Sequence, residues 1–391
     1  MFVESTEVEV NMWNMIPQSI KDLHKLFNAN NKSLYLVGGS VRDFLTGDKP
    51  KDFDLATNAL PDEVLNILGN KYRTNLQGKA FGVVVVYTKD QPSGMEIATF
   101  REDISKGRNP EVKLGVTIED DVKRRDLTYN SLFYDLDKRE IIDLVGGRKD
   151  LENGVTRMVG DPFDRFEEDS LRILRAFRFA SRYGHKLDKQ TSDAILKRNK
   201  LENIDPETGK MKRISQERIW EEINKAWKQA KDFSEYLDFF NQFNMWKEVF
   251  PKTKTNTDIQ YCDYFVTYIA NLFYFEAWNN KIKDIMIYDY KIDSAVADKA
   301  IFLTQLEELD YTNVTEYYKN KVRYHVTDLE IEDWIRIKNP SNKNIIELFI
   351  DYKPTVNIEE LMKMGFSGKK LGDEIKRLEI EKFKNIIDEK L

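Results

Sequence analysis

Cysteine and histidine are scarce in this chain of 391 residues. The one cysteine, Cys262, has no second cysteine to pair with, so the fold does not rest on internal disulfides and suits a reducing compartment. The three histidines, His24, His185 and His325, lie far apart in the sequence. Zinc sites built from cysteine and histidine are therefore not expected.

Long apolar runs are also missing. No stretch approaches the roughly 20 apolar residues that a membrane-spanning helix needs, so we expect no membrane partner. The first ten residues, MFVESTEVEV, are acidic and have neither the basic region of a secretory signal nor the arginines of a transit peptide. We therefore predict a globular, cytoplasmic protein with about two to four domains.

The chain also lacks an excess of positive charge, since its formal net charge is −6. This balance argues mildly against a general affinity for nucleic acid. The segment from Arg172 to Lys228 is different, with 15 Lys and Arg residues against 8 Asp and Glu residues. It either follows a phosphate backbone or forms ordinary solvated helix faces, and the sequence leaves both interpretations open.

A strand, a glycine turn and a helix follow one another early in the chain. Leu34 to Val37 is a short apolar run that predicts a buried strand, and Gly38 and Gly39 permit a tight turn after it. Ser40 then opens a helical pattern. The free N–H groups at such a helix N-terminus favour an anion, and Arg42 in the first turn can contact a phosphate.

Two aspartates follow in the predicted strand Asp52 to Ala56. Because side chains alternate along a strand, Asp52 and Asp54 share one face, and carboxylates about 7 Å apart can converge on a hard cation. An isolated Asp-x-Asp is usually a solvated surface pair. Beside an anion site, however, it matches the requirements of metal-dependent nucleotidyl transfer.

The combined run, GGSVRD followed by KDFDLATNA, resembles the opening of the nucleotidyltransferase core in the family of tRNA CCA-adding enzymes and bacterial poly(A) polymerases. The resemblance implies an α/β head with a mixed sheet, followed by an all-helical neck, body and tail. We place these domains at residues 1–149, 150–231, 232–300 and 301–391.

The same resemblance implies roles for the residues of this run. Asp52 and Asp54 are expected to be catalytic and to bind two Mg²⁺ ions, while Gly38, Gly39 and Arg42 are expected to bind the nucleotide triphosphate.

The next strand, Met95 to Arg101, is predicted to lie close to the Asp52 strand. Glu96 is therefore a candidate third carboxylate near the metals, and a sheet-edge glutamate without a role is the equal alternative. Glu102 to Asp120 has little periodicity and predicts a long loop. In the family, a flexible loop at this place helps to switch the enzyme from adding C to adding A.

Arg124, Arg125 and Asp126 form an Arg-Arg-Asp run, which we interpret as a helix start. It resembles the second hallmark of the family, RRD followed by T-x-N. An arginine here can contact phosphate or ribose, and Asp126 can accept a hydrogen bond from a sugar hydroxyl or orient an arginine.

The segment from Arg165 to Tyr183, RFEEDSLRILRAFRFASRY, predicts one continuous helix. An isolated EDxxR would be an ordinary surface helix with an internal ion pair. This run, however, resembles the motif with which class II enzymes of the family recognise the incoming nucleotide. The resemblance implies that Asp169 and Arg172 recognise the base and that Arg175 and Arg178 reach the triphosphate or the acceptor strand.

These residue types suit the task. Cytosine and adenine both present an exocyclic amine beside a ring nitrogen, so a carboxylate can accept from the amine and a guanidinium can donate to the ring. Uracil and guanine carry a carbonyl where Asp169 needs a donor. They would leave the desolvated carboxylate unpaired and would be strongly rejected.

The remaining chain carries fewer functional signals. The run ERIWEE, which includes Glu217 and Arg218, resembles a family motif that braces the recognition helix, and we expect both side chains to be structural. The many aromatic residues between Tyr261 and Trp278 predict a helical core rather than a base-stacking surface.

A glycine turn near the end, Gly365-x-x-Gly368, precedes Lys369 and Lys370. It resembles the tail with which class II enzymes hold the tRNA elbow. The two lysines are predicted to lie at the N-terminus of the last helix, where phosphate binds favourably.

The resemblance as a whole implies a class II CCA-adding enzyme that takes CTP, ATP, Mg²⁺ and tRNA. The tRNA 3′-hydroxyl attacks the α-phosphate and pyrophosphate leaves. The alternatives are a CC-adding or A-adding specialist, a poly(A) polymerase, and a catalytically silent tRNA-binding protein. The run QGKAFGV, residues 77–83, resembles CCA-type enzymes and ranks poly(A) polymerase last within the family.

Overall fold

The computed structural model describes residues 5–105, 110–205 and 207–391. The chain divides into two compact units, one of Met1–Ile214 with Lys228–Lys231 and one of Ser215–Trp227 with Asp232–Leu391. The finer division into head, neck, body and tail stays a prediction. Within the described ranges, no helix is both long enough and apolar enough to cross a membrane.

The first unit contains the strands. They are β1 (Leu34–Val37), β2 (Asp54–Thr57), β3 (Arg73–Asn75), β4 (Val83–Tyr87), β5 (Met95–Thr99), β6 (Arg101–Asp103), β7 (Val112–Leu114), β8 (Phe133–Asp135), β9 (Glu140–Ile142), β10 (Val155–Thr156), β11 (Lys186–Leu187), β12 (Glu202–Ile204) and β13 (Met211–Arg213).

Seven of these strands form one mixed sheet in the order β3-β4-β5-β2-β1-β8-β9. The β2–β5 pair is parallel, and the other neighbours are antiparallel. The short pairs β6–β7, β10–β11 and β12–β13 lie outside the main sheet. The mixed sheet agrees with the predicted fold of the head.

The first unit also contains helices. They are α1 (Ser5–Met15), α2 (Gln18–Ala29), α3 (Gly39–Thr46), α4 (Pro61–Leu68), α5 (Ile118–Lys123), α6 (Gly147–Asn153), α7 (Pro162–Glu168), α8 (Leu171–Tyr183) and α9 (Lys189–Lys197), with 3₁₀ turns at Gly69–Lys71, Lys79–Phe81 and Thr128–Asn130.

The predicted strand–turn–helix forms as β1 and α3. Gly38 between them has φ +71° and ψ −122°, a conformation that L side chains rarely adopt. Gly47 ends α3 in the left-handed region. The turn is fixed to the sheet because the Gly38 N–H donates to the Leu132 carbonyl at 3.0 Å.

Apolar side chains from β1, β2, β8 and their connections form a core under the sheet. Phe100 and Phe133 are buried and meet nearly edge to face, with ring centroids 6.1 Å apart, and Tyr35 packs on both rings. Ala56 of β2 is buried in this core, beside Val37, Phe100 and Phe133.

Two predicted boundaries in this region are wrong. The strand predicted from Asp52 begins at Asp54, so Asp52 lies in the loop before β2. The predicted loop Glu102 to Asp120 contains β6, β7 and the start of α5, because the two short strands pair as a hairpin. Residues 106–109 lie outside the described residues, and the switching role predicted for this segment stays a prediction.

The described part of the second unit is helical. Its helices are α10 (Gln216–Gln229), α11 (Phe233–Gln242), α12 (Trp246–Val249), α13 (Phe265–Leu272), α14 (Ile282–Asp284), α15 (Ser294–Gln305), α16 (Val314–Arg323), α17 (Asp328–Lys338), α18 (Lys343–Ile350), α19 (Ile358–Lys363) and α20 (Gly368–Lys390), and a π-helix spans Ile285–Asp289.

Aromatic side chains form much of the core of the second unit. Trp227 stacks on Phe265, with centroids 5.4 Å apart, and Phe233 meets Tyr268 edge to face at 5.1 Å. The predicted aromatic helical core is therefore present. Outside it, Tyr261, Phe275 and Trp278 are exposed.

Candidate active site

Three carboxylates lie in the region where β2 begins beside β5, and the charges of Asp52 and Glu96 both act on Asp54. Asp54 is the first residue of β2, and its register partner Val37 places it directly beside the end of β1 and the glycine turn. In the parallel β2–β5 pair Leu55 aligns with Ile97, so Asp54 and Glu96 occupy matching positions on neighbouring strands. Asp52, Asp54 and Glu96 are all exposed. The prediction that the Glu96 strand lies beside this segment is confirmed.

The electrostatics of this group are unusual. Protein atoms crowd the Asp54 side chain although it is open to solvent, and this partial dehydration raises its pKa to about 6, with further contributions from the charges of Glu96 and Asp52. Arg125 opposes the rise. The raised pKa shows that negative charge accumulates around Asp54. A bound cation would offset this charge and is therefore favoured here.

These carboxylates fit Mg²⁺ chemically, because hard cations prefer carboxylate oxygens. In the described part of the chain, no three Asp, Glu, His or Cys side chains already form a group that could hold a metal ion. Asp52, Asp54 and Glu96 would have to rotate toward a bound ion.

The Arg-Arg-Asp run lies next to the carboxylates but not where it was predicted. Arg124 is the C-cap of α5, so the run follows a helix instead of starting one. Arg124 Nε donates to Asp121 Oδ1 at 3.0 Å, and Arg125 donates to Asp121 Oδ2 from Nε at 3.1 Å and from Nη2 at 2.8 Å. Asp121 is thus a functional candidate that the sequence interpretation missed, although its spacing of three and four residues from the arginines was visible.

Asp126 connects this run to the predicted recognition helix. Its Oδ2 accepts from Arg175 Nε at 2.9 Å, and its Oδ1 accepts from the Leu127 N–H at 2.7 Å. Burial alone would raise the pKa of Asp126, but Arg175 and these hydrogen bonds hold the pKa far below its ordinary value. Asp126 is therefore charged at any physiological pH and orients Arg175.

The predicted single helix from Arg165 to Tyr183 is wrong. It is broken into α7 and α8, and Asp169 between them is extended, with φ −151° and ψ 105°. The Asp169 side chain accepts from the Leu171 N–H at 3.2 Å, which satisfies a backbone group at the start of α8. Asp169 and Arg172 are therefore close in sequence but are not neighbours on one helix.

Arg172, in the first turn of α8, is held by two residues of α7 and by the Arg-Arg-Asp run. Its Nη1 donates to Glu168 Oε2 at 2.6 Å and to the Arg165 carbonyl at 3.1 Å, and its Nη2 reaches the Arg124 carbonyl at 3.4 Å. Arg165 also donates to the Arg125 carbonyl. The predicted base-recognition residues and the Arg-Arg-Asp run thus form one connected polar network.

Two predicted nucleotide-binding arginines are buried. Arg42 donates to Asp43 and Asn130 and packs against the rings of Phe179 and Tyr183. Arg178 donates to Gln229 at 2.7 Å. Both side chains are under 6% exposed, so contact with a nucleotide would require them to move. Their predicted roles, and those of Gly38 and Gly39, stay predictions.

Comparison with known proteins identifies the family. Residues 34–157 match the family model of the poly(A) polymerase head domain. A CCA-adding enzyme of Ligilactobacillus salivarius is 32% identical over 417 aligned positions, which cover 97% of this chain and 95% of that protein. The chain belongs to the family of CCA-adding enzymes. The predicted membership, and with it the predicted class of enzyme, is confirmed.

The chain is also similar to poly(A) polymerases. Poly(A) polymerase I of Salmonella typhi is 34% identical over 246 residues, which cover 60% of this chain and 50% of that protein. The chain thus spans about half the length of that relative. The similarity to the L. salivarius CCA-adding enzyme extends over nearly the whole of both chains.

Solved structures of CCA-adding enzymes share the fold. One in complex with CTP superposes with a TM-score of 0.70 at 21% identity and covers 98% of this chain and 94% of the other. The Thermotoga maritima enzyme complexed with tRNA has a TM-score of 0.67 at 20% identity, covering 98% and 95%. The predicted fold class, an α/β head followed by helical domains, is confirmed.

Proposed function

We propose that the protein is a template-independent RNA nucleotidyltransferase that adds CCA to the 3′ ends of tRNA from CTP and ATP. The observation that carries the proposal is the group of Asp52, Asp54 and Glu96, with Arg125 close enough to oppose their effect on the pKa of Asp54. The proposal assigns the metal to these carboxylates and the triphosphate to basic side chains near them. The similarity along nearly the whole L. salivarius CCA-adding enzyme supports the same conclusion.

Each group of residues has a distinct task in this proposal. Asp52 and Asp54 hold Mg²⁺, and Glu96 is the candidate third ligand. A bound ion would supply positive charge that favours ionisation of the tRNA 3′-hydroxyl and departure of pyrophosphate. The N-terminus of α3 attracts the triphosphate, as helix N-termini do.

The base is selected at the break between α7 and α8. Asp169 accepts from the exocyclic amine of cytosine or adenine, and Arg172 donates to the ring. Glu168 holds the Arg172 guanidinium, and Asp126 holds Arg175. Because these charged groups are fixed before a nucleotide arrives, little reorganisation is needed during the reaction.

The competing hypotheses differ in product or in activity. A poly(A) polymerase would add a long run of A to any RNA. The similarity to half of a poly(A) polymerase supports this hypothesis. A specialist would add only CC or only A. A silent binding protein would hold tRNA without adding anything.

A pair of substitutions separates an enzyme from a binding protein. We expect the double variant Asp52→Asn/Asp54→Asn to keep wild-type affinity for a tRNA transcript in a filter-binding assay and to lose incorporation of labelled CTP and ATP. Asp62→Asn, an exposed aspartate on α4 that pairs with Lys79, is the matched control and should keep both properties. Equal incorporation by the double variant and the control would contradict the proposed metal site.

A further inference from the structure

Arg165 on α7 joins two segments that lie 40 residues apart in the sequence. Its side chain is buried. Nη2 donates to the Arg125 carbonyl at 2.8 Å and also to the Arg124 carbonyl, while Nη1 donates to Glu168 Oε2 at 2.5 Å. One buried guanidinium group thus connects α7 with the Arg-Arg-Asp run.

The two carbonyl groups that Arg165 binds stand at the end of α5. Arg124 is the C-cap of this helix, and Arg125 follows it. Carbonyls at a helix C-terminus have no partner within the helix, and a charged donor forms a stronger bond to them than a neutral donor does. Arg165 therefore fixes the backbone of the Arg-Arg-Asp run against α7.

Arg165 also determines where Arg172 lies. Glu168 Oε2 accepts from Arg165 Nη1 at 2.5 Å and from Arg172 Nη1 at 2.6 Å, so the two arginines share one carboxylate oxygen. Arg172 Nη1 donates in addition to the Arg165 carbonyl at 3.1 Å. The guanidinium group of Arg172 is thereby placed relative to the same residue that holds the Arg-Arg-Asp run.

The charges around Arg165 indicate a role in geometry. Burial and the charge of Arg172 lower the pKa of Arg165, and the charge of Glu168 opposes this effect. A buried charge beside a like charge is weak evidence for a stabilising role. The planar fork of donors, which serves three acceptors at once, suits a residue that sets the distances between other groups.

We propose that Arg165 is a positioning residue for nucleotide selection. The inference rests on the proposed function, in which Arg172 donates to the ring of cytosine or adenine. Arg165 holds Glu168, and through it Arg172, at a fixed place beside the Arg-Arg-Asp run. Uracil presents an N–H donor at the ring position where cytosine presents an acceptor, so a correctly placed Arg172 rejects uracil. A displaced Arg172 rejects it less strongly.

The first test is Arg165→Met, which keeps an unbranched side chain and removes every donor. We expect the ratio of kcat/KM for CTP to that for UTP to fall about tenfold, as when one hydrogen bond from a charged group is lost. Arg165→Lys keeps the charge without the fork and should give an intermediate ratio. Arg148→Met removes a partly buried arginine that pairs with Glu9 at 3.5 Å, and this control should keep the wild-type ratio.

A second test asks whether Arg165 acts through Arg172. Asp169 keeps part of the selectivity in Arg172→Met, so a further fall in the ratio can be measured in that background. We expect Arg165→Met/Arg172→Met to have the same CTP to UTP ratio as Arg172→Met alone. A merely structural arginine would lower stability without changing the ratio in either background. A fall of the same size in both backgrounds would overturn the inference.

The outcomes separate this inference from the proposed function. A wild-type protein that incorporates no nucleotide would contradict the proposed function itself. A wild-type protein that selects CTP, with Arg165→Met equally selective, would overturn only the role of Arg165. If Arg165→Met fails to fold or loses all activity, Arg165→Lys decides: a ratio below that of wild type supports the role, and the wild-type ratio overturns it.

Discussion

Asp54 differs from an ordinary surface aspartate because two other carboxylates share its surroundings. The pKa of Asp54 is about 6 in the folded chain, against an ordinary value of 3.8. The folded protein therefore holds a proton on Asp54 between these pH values that the unfolded chain releases. Without a divalent cation, this group makes the protein less stable as pH rises from about 4 to about 6.

Asp54→Asn removes this loss. We expect the metal-free variant to unfold at a higher temperature than wild type at pH 7, and the difference to vanish below about pH 3, where Asp54 is protonated in both states. Thermal unfolding in EDTA across this pH range measures the effect, with Asp62→Asn as the control that should follow wild type. Parallel profiles for wild type and Asp54→Asn would show that Asp54 titrates normally.

The same titration governs metal binding. Mg²⁺ requires ionised carboxylates, so added Mg²⁺ should raise the unfolding temperature of wild type at pH 7.5 and have little effect at pH 5. Asp54→Asn should show a much weaker response at both pH values. Equal responses of the variant and wild type would place the metal elsewhere.

Helix α5 buries one charged residue, Asp121, in its second half. Asp121 is 1% exposed and accepts from Arg124, from Arg125 and from the Arg101 N–H, the last at 2.9 Å. Burial would raise the pKa of Asp121, but the two arginines and the N–H outweigh it and lower the pKa. Because the folded pKa is the lower one, the stabilisation is complete above about pH 4 and is lost as pH falls through the folded pKa.

Asp121→Asn should therefore lower the stability of the folded chain. It leaves two arginines partly buried without their counter-charge, and we expect a loss of about 3 kcal/mol in the free energy of unfolding at pH 7 together with a lower kcat/KM for CTP. Asp120→Asn changes a half-exposed aspartate one residue earlier on the same helix and should cost much less, because its hydrogen bonds with Thr117 and Lys123 are open to solvent. Urea unfolding of both variants gives the comparison, and equal losses would contradict the role of Asp121.

The elements that could be predicted from the sequence are those with local signals. β1 and α3 were predictable because an apolar run, two glycines and a helical pattern follow one another within 14 residues, from Leu34 to Gly47. The last helix begins at Gly368, so Lys369 and Lys370 lie in its first turn as predicted.

The elements that were mispredicted depend on distant contacts. The helical pattern runs through Asp169 without interruption, and the break is stabilised by Asn203, which is 34 residues later in the chain. Likewise the orientation of the Arg-Arg-Asp run depends on the Arg175 ion pair, 49 residues from Asp126. Helical periodicity contains no information about such partners.

At the scale of the whole molecule, the predicted catalytic and base-selecting residues all belong to the first compact unit. Several arginines of the basic segment from Arg172 to Lys228 form ion pairs within this unit, such as Arg182 with Asp43 and Arg198 with Glu167. Whether its remaining lysines contact tRNA stays a prediction. The second unit supplies the aromatic helical core, and its contact with the tRNA elbow through Lys369 and Lys370 also stays a prediction.

The most direct test of the central claim is incorporation of each labelled nucleotide, with Mg²⁺, into three tRNA transcripts that lack CCA, end in C or end in CC. We predict two C and one A on the first, one C and one A on the second and a single A on the third, with UTP and GTP rejected throughout. Addition of C alone or A alone would indicate a specialist, and a long run of A on any RNA would indicate a poly(A) polymerase. No incorporation with any transcript would contradict the account.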